Sequence, residues 1–179
     1  MDDIVKQAMT KWPNVPDCYG WLGLDVRGDW YMRDDAAQAC GAFSSGRPGA
    51  KGSVLRHDKL VAFIARNYAC NDQGAWFFQN GPQRVYVELE ATPWVWRVQQ
   101  DYSLRTHTGE PAQCTGCLTD EYGWLYLQTP LGLGLVHSLD VVQASEAIER
   151  GRWSLTEVLR HTLPGRYGYL TSPQSSNGC

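Results

Sequence analysis

The chain has 179 residues, 43% of them apolar and 20% charged. That composition fits one globular domain, or two small units sharing a core, and excludes a disordered chain. A formal net charge of −3 with well-mixed signs gives no electrostatic basis for a nucleic acid polymer as partner, because such binding relies on Lys and Arg neutralising phosphates. No run approaches the roughly eighteen apolar residues of a membrane helix, and Met1 to Trp12 lacks the basic-then-apolar plan of a secretory signal. The expected setting is cytoplasmic, with no membrane partner.

Ile4, Ala8, Met9 and Trp12 recur at helical spacing and Pro13 and Pro16 stop the pattern, which predicts a short helix over 3–11. Trp21 to Val26 and Trp30 to Met32 flank Arg27-Gly28-Asp29 as a β-hairpin. Residues 34–53, rich in Ala, Gly and Ser, read as a loop or flexible insertion. A helix is expected over 57–69, with Leu60, Val61, Ile64 and Tyr68 on one face. The pattern then changes to strands at Trp76-Phe-Phe, Arg84 to Glu90, Trp94 to Val98 and Tyr102 to Thr106, an antiparallel meander. Within it Val85, Val87 and Leu89 share the buried face, while Tyr86, Glu88 and Glu90 share the wetter one. A further hairpin is expected over 124–137, a helix over 142–150, and a last helix over 154–161, where Ser154 and Glu157 have capping-box spacing.

These elements make an α+β fold: an antiparallel β-meander or partial barrel packed with a few helices. The expected division is 1–109 for the hairpin, helix and main sheet, 110–171 for a smaller hairpin with helices on the same core, and 172–179 for a flexible polar tail.

Eight Trp and nine Tyr are the compositional oddity. Three Trp share a plan: Asp25-Val-Arg-Gly28-Asp-Trp30, Asp72-Gln-Gly74-Ala-Trp76 and Asp120-Glu-Tyr-Gly123-Trp124. In each, Asp accepts local backbone hydrogen bonds, Gly takes the left-handed conformation and Trp opens a strand. The plan is either a common turn used three times or a record of duplication. Duplication predicts two similar β-rich halves with a binding seam between them.

The six Cys, at 18, 40, 70, 114, 117 and 179, are expected to be reduced. Cys114-Thr-Gly-Cys117 has the spacing of half a zinc site or a redox dithiol, but no second pair accompanies it. It is a weak metal candidate, and no cofactor is expected. His57, His107, His137 and His161 have no nucleophile beside them in a recognisable setting, and Glu88 with Glu90 is explained by solvent-facing alternation.

Two polar clusters are candidate ligand sites. Arg56 and His57 open the best helix, where free N–H groups favour an anion. Gln79, Asn80 and Arg84, flanked by Trp76 and Tyr86, combine amides, a cation and rings that could hold a planar base. Each also has a plain structural reading, as a helix start and as a polar hairpin loop.

The parts Asp25 to Trp30, Leu55-Arg56-His57, Leu60 to Ala65, Gly74-Ala75-Trp76 and Glu88 to Trp94 together resemble a set of bacterial families known only as domains of unknown function. Leu163 to Pro173 resembles the C-terminal segment of a closer, equally uncharacterised one. The resemblance implies a duplicated β-rich fold partly similar to pleckstrin-homology domains, with a nucleotide-like ligand between its halves and a signalling role. The expected function is therefore a non-enzymatic, ligand-binding regulatory protein taking a small molecule. The alternatives are an interaction module using exposed Trp94, Trp96 and Trp153, with homo-oligomers compatible, or an unrecognised hydrolase using Glu88, His57 or Asp58.

Overall fold

The computed structural model describes residues 1–173. The expected tail extends past them, and residues 174–179 lie outside the described residues. The fold is mixed α+β, with two open sheets of six and seven strands. No helix among the described residues is long and apolar enough to cross a membrane. The chain divides into two compact units. The first comprises Met1–Asp25, Asp29–Glu90 and the segment from Tyr169; the second comprises Val26–Gly28 and Ala91–Gly168.

The first unit contains α1 (Asp3–Lys11), β1 (Cys18–Leu24), β2 (Trp30–Met32), α2 (Asp35–Cys40), β3 (Ser53–Val54), α3 (Asp58–Arg66), β4 (Tyr68–Cys70), β5 (Trp76–Asn80) and β6 (Gln83–Leu89). Its sheet runs β3-β2-β1-β6-β5-β4. Pairing is antiparallel except between β1 and β6, which run parallel. The expected long helix ends early because Tyr68–Cys70 pairs with Trp76–Phe78 as the edge strand. The sheet also curls. Trp30 on β2 meets Tyr68 on β4 with ring centroids 5.2 Å apart, although four strand spacings of a flat sheet would separate them by roughly 19 Å. Inside the curl α3 packs Phe63 on Phe78 at 5.4 Å, over Val87 and Leu89, which are buried.

The outer face is covered as well, which overturns two expectations. Residues 34–53 are ordered: Asp34 caps α2 through the N–H of Ala37, and the Phe43 ring lies on Gly23, where a Cβ would come within 2.4 Å of it. Buried Arg33 ties the segment down by donating to the carbonyls of Ala50 (2.8 Å), Gly41 (2.6 Å) and Gly20 (3.2 Å). Alternation in β6 therefore does not separate a wet face from a dry one. Glu88 is only 4% exposed, and Glu90 pairs with Lys51 at 2.7 Å, so the solvent-facing reading of the two carboxylates fails.

The second unit contains β7 (Trp94–Val98), β8 (Leu104–Thr106), β9 (Pro111–Ala112), β10 (Gly116–Thr119), β11 (Leu125–Thr129), β12 (Gly132–Val136), α4 (Val141–Glu149), β13 (Leu155–Glu157) and α5 (Leu163–Tyr167). The strand order is β13-β10-β11-β12-β7-β8-β9. The expected meander is thus cut between β6 and β7, which belong to different sheets. Buried Thr92 marks the cut: its hydroxyl donates to Trp94 O (2.7 Å) and accepts from the Leu135 N–H (2.9 Å), setting β7 parallel to β12. Trp94 and Trp96 are 8% and 0% exposed, so they are core residues and not the exposed anchors expected. Trp96 passes across β12 to donate to Leu127 O at 3.0 Å. Gly134 makes room, since a Cβ there would lie 2.4 Å from the indole nitrogen.

The helix expected over 154–161 is absent. Leu155–Glu157 is extended and pairs parallel with β10, so the open edge of a sheet outcompetes a capping-box pattern. Before α4, a 3-10 turn over Ser138–Asp140 places buried Asp140 against β7. There it accepts from Arg97 Nε (2.5 Å) and the Val98 N–H (3.1 Å).

Candidate functional site

Asp25, Asn71 and Asp120 head the same five-residue turn. In each, the first residue donates its N–H to the carbonyl four residues on, and that residue's N–H donates back to the first side chain. The return bonds are Asp29 to Asp25 Oδ1 at 2.9 Å, Ala75 to Asn71 Oδ1 at 2.9 Å and Trp124 to Asp120 Oδ1 at 2.9 Å. Gly28, Gly74 and Gly123 hold the fourth position at φ of +84°, +82° and +78°, where a side chain would be strained. The sequence pattern assigns the head of the second turn to Asp72; the structure gives it to Asn71. That shift changes the alignment of the tryptophans. Trp30 and Trp76 stand five residues after the head and open strands, whereas Trp124 stands four after it, inside the turn.

Around Trp124 the turn becomes a charged, aromatic cluster. Asp120 Oδ2 accepts from Arg160 Nε (2.6 Å) and from the Tyr126 hydroxyl (2.8 Å). The Arg160 guanidinium lies 3.9 Å from the Trp124 ring centroid and 4.5 Å from that of Tyr122, within the range of cation–π attraction. Burial opposes ionisation of Asp120, but the bonds from Arg160, the Trp124 and Tyr122 N–H groups and Tyr126 prevail and hold its carboxyl below the usual range.

Trp124 also lines a cavity of about 330 Å³. Leu125, Leu135 and Val141 continue its apolar wall, while Arg27 and Ser138 supply a guanidinium and a hydroxyl. Ser138 opens the 3-10 turn leading into α4, and His137 caps that turn by accepting the Leu139 N–H at its Nδ1 (3.1 Å). An apolar, ring-bearing wall with one cation and one hydroxyl suits a molecule that is part planar or apolar and part anionic. In the sequence Trp124 belongs to one turn and Arg27 to the tip of another hairpin, and no local signal brings the two together.

The candidate ligand residues of the first unit divide between the faces of its sheet. Register opposes Phe77 to Tyr86 and Gln79 to Arg84, so those four side chains share the outer face. Trp76, Phe78 and Asn80 point the other way, toward α3. Arg56 and His57 precede α3, whose Phe63 packs on the inner-face Phe78. Most of these groups have internal partners. His57 Nδ1 accepts the Leu60 N–H (3.3 Å) and so caps the helix. Trp76 packs on Tyr68 with centroids 4.7 Å apart. Tyr86 stacks on Tyr19 at 4.6 Å, Arg84 lies over Phe77 at 4.9 Å, and buried Gln79 donates to Gly81 O (2.9 Å). Arg56 and Asn80 are exposed.

Cys117 is buried in β10, and burial pushes its thiol up to about 12; burial raises the half-buried Cys114 as well. A reactive dithiol or a thiolate ligand requires the opposite shift. Among the described residues no three His, Cys, Asp or Glu side chains gather as metal ligands. His107 is held neutral: burial lowers its pKa to about 3, and its Nδ1 accepts the Val95 N–H at 3.3 Å.

Two solved structures are similar. A DUF1285 family protein from Silicibacter pomeroyi DSS-3 is 12% identical, with a TM-score of 0.49 over 74% of this chain and 72% of that one. A DUF1285 family protein from Shewanella baltica OS155 is 18% identical, with a TM-score of 0.45 over 70% of this chain and 91% of that one. No curated protein matches the sequence. The family profile described as "Protein of unknown function (DUF2946)" matches residues 1–174, and the chain belongs to that family.

Proposed function

We propose that this chain is a non-enzymatic binding protein with a regulatory role in the cytoplasm, taking a small, planar, anionic molecule of nucleotide-like chemistry in the cavity beside Trp124. The observation that carries the reading is the cavity's composition, an apolar wall of Trp124, Leu125, Leu135 and Val141 with Arg27 and Ser138 as polar groups. Its volume of about 330 Å³ is at the lower end of the range for small-molecule sites. The cation over the indole supports it too: Arg160 fixes the Trp124 ring before any ligand arrives, which lowers the ordering cost of binding.

Thermal shift with a panel of mononucleotides and aromatic carboxylates tests the proposal. A ligand at about one hundred times its Kd stabilises the folded state by roughly 2.7 kcal/mol, a clear rise in Tm. Val141→Trp, which fills the cavity from its partly exposed side, and Arg27→Gln should each abolish the shift. Arg84→Gln should leave it intact. Loss on Arg84→Gln with retention on Arg27→Gln would move the site to the β5–β6 hairpin, and no stabilisation by any panel member at about millimolar concentration would sink the reading.

A further inference from the structure

A second cluster of rings and cations lies elsewhere in the second unit, where the β7–β8 turn meets the end of α4. The turn closes with the Tyr102 N–H donating to Gln99 O (2.9 Å) and the Gln99 N–H donating to Ser103 O (2.9 Å). Tyr102 is the one described non-glycine residue at positive φ, +66°. Such hairpin loops normally place Gly there, and a bulky side chain is disfavoured. The ring is nonetheless present, and two arginines sit on it: Arg152 at 4.9 Å and Arg150 at 6.0 Å from its centroid. Its hydroxyl reaches Glu146 at 3.5 Å.

Arg105, Arg150 and Arg152 are all exposed. Every ion pair among the described residues lies elsewhere, so the three guanidinium groups have no carboxylate within bonding distance. Arg105 donates only to Gly109 O (3.1 Å). Two adjoining cavities open around them and share Asp101, Tyr102 and Arg152. The larger, about 780 Å³, adds Arg105 and Trp153; the smaller, about 530 Å³, adds Arg150, Gln143 and Glu146. Asp101 is exposed and its Oδ1 accepts from both the N–H and the hydroxyl of Ser103 (3.0 and 2.7 Å), which engages the carboxylate locally. Gln143 buries its Oε1 with no hydrogen-bond partner. Turned over, the same amide presents N–H donors at that position, an assignment only hydrogen bonding can decide.

We propose that this groove recognises a phosphomonoester. Arg150 and Arg152 offer planar donor forks suited to phosphate oxygens, and Tyr102 holds one of them flat by stacking. Gln143, turned over, places an N–H donor where its Oε1 has no partner, and a phosphate oxygen accepts from it. The organic part of the ligand lies along Trp153 in the larger cavity, with Arg105 adding attraction for its negative charge. The unfavourable backbone at Tyr102 then has a reason, because Gly would suit the turn but would leave the arginines unsupported.

Titration of the full chain by calorimetry with phenyl phosphate and with inorganic phosphate tests this. Both should bind, phenyl phosphate more tightly. Arg150→Gln and Arg152→Gln should each weaken both probes by about tenfold. Trp153→Ala should remove only the advantage of phenyl phosphate. Tyr102→Gly separates recognition from packing: it should keep or raise Tm while weakening both probes. A lower Tm with unchanged affinity would make Tyr102 a packing residue and overturn its assigned role. No saturable binding of either probe up to about 10 mM, or binding lost on Arg27→Gln and kept in the Arg150/Arg152 variants, would overturn the site; the second result would place the phosphate in the Trp124 cavity.

Discussion

The turns headed by Asn71 and Asp120 have the same backbone frame and opposite uses. At Asn71 the head group is neutral. Its Oδ1 accepts from Gln73 and Ala75, its amide reaches the Tyr86 hydroxyl at 3.4 Å, and the following Trp76 packs on Tyr68. At Asp120 the head group is a carboxylate with a second oxygen to offer. That oxygen holds Arg160 and Tyr126, and Arg160 in turn covers a tryptophan one residue closer to the turn. A change of one functional group and one position thus converts a packing turn into the support of a ring that lines a cavity. What sets Trp124 apart is the partner of the turn's head residue, not the Asp-Gly-Trp pattern.

The largest test of that contrast removes both heads. Asp120→Ala strips four donors of their acceptor and leaves the Arg160 charge unpaired, which should cost about 3–5 kcal/mol. Asn71→Ala loses only neutral bonds and should cost about 1–2 kcal/mol. Urea unfolding of both variants measures the difference, and equal losses would mean the charge adds nothing. Arg160→Gln isolates the cation. Since Arg160 is about one-third exposed and Asp120 fully buried, the loss should be smaller, about 2 kcal/mol after allowing for solvent screening. It should be accompanied by a change in tryptophan fluorescence that Arg84→Gln does not produce.

Periodicity carried most of the elements, but only those whose stability is local. The helix over 3–11 and the 124–137 hairpin were legible because apolar spacing and turn residues fix them. The strand at Leu155–Glu157 was hidden because its partner, Cys117–Thr119, is distant in sequence, and the same holds for the parallel β1–β6 pair. Residues 34–53 read as an insertion because small residues carry no period, yet Phe43 needs Gly23 beneath it and Arg33 needs three carbonyls from that region and β1. The site was the least legible part. Arg27, Trp124 and Val141 line one cavity from three separate segments, and no local pattern encodes that.

Asp120→Asn sharpens the comparison through pH. It keeps the turn's Oδ1 acceptor, as Asn71 does, but loses the charge and leaves Arg160 unpaired, at a cost of about 2 kcal/mol near neutrality. The folded pKa of Asp120 is lowered, so its contribution is fully present above the unfolded value of about 3.9 and is lost as pH falls through the folded value below it. The gap between wild type and Asp120→Asn should therefore be widest near neutral pH and should close as the solution is acidified below about pH 4. A gap that stays constant into acid would mean that geometry, not charge, distinguishes the two turns.

The smallest effect belongs to the converse change, Asn71→Asp. The carboxylate keeps the bonds from the Gln73 and Ala75 N–H groups, and the Tyr86 hydroxyl can reverse from acceptor to donor. None of the Asn71 side-chain hydrogen bonds is with a cation, so the new charge takes over no partner of the Arg160 kind. Stability should change by less than about 0.5 kcal/mol, with Trp76 still packed on Tyr68 and no new dependence on salt. A substantial stabilisation would mean that a carboxylate at the head of the turn is sufficient by itself, and that Arg160 is incidental to the cluster around Trp124.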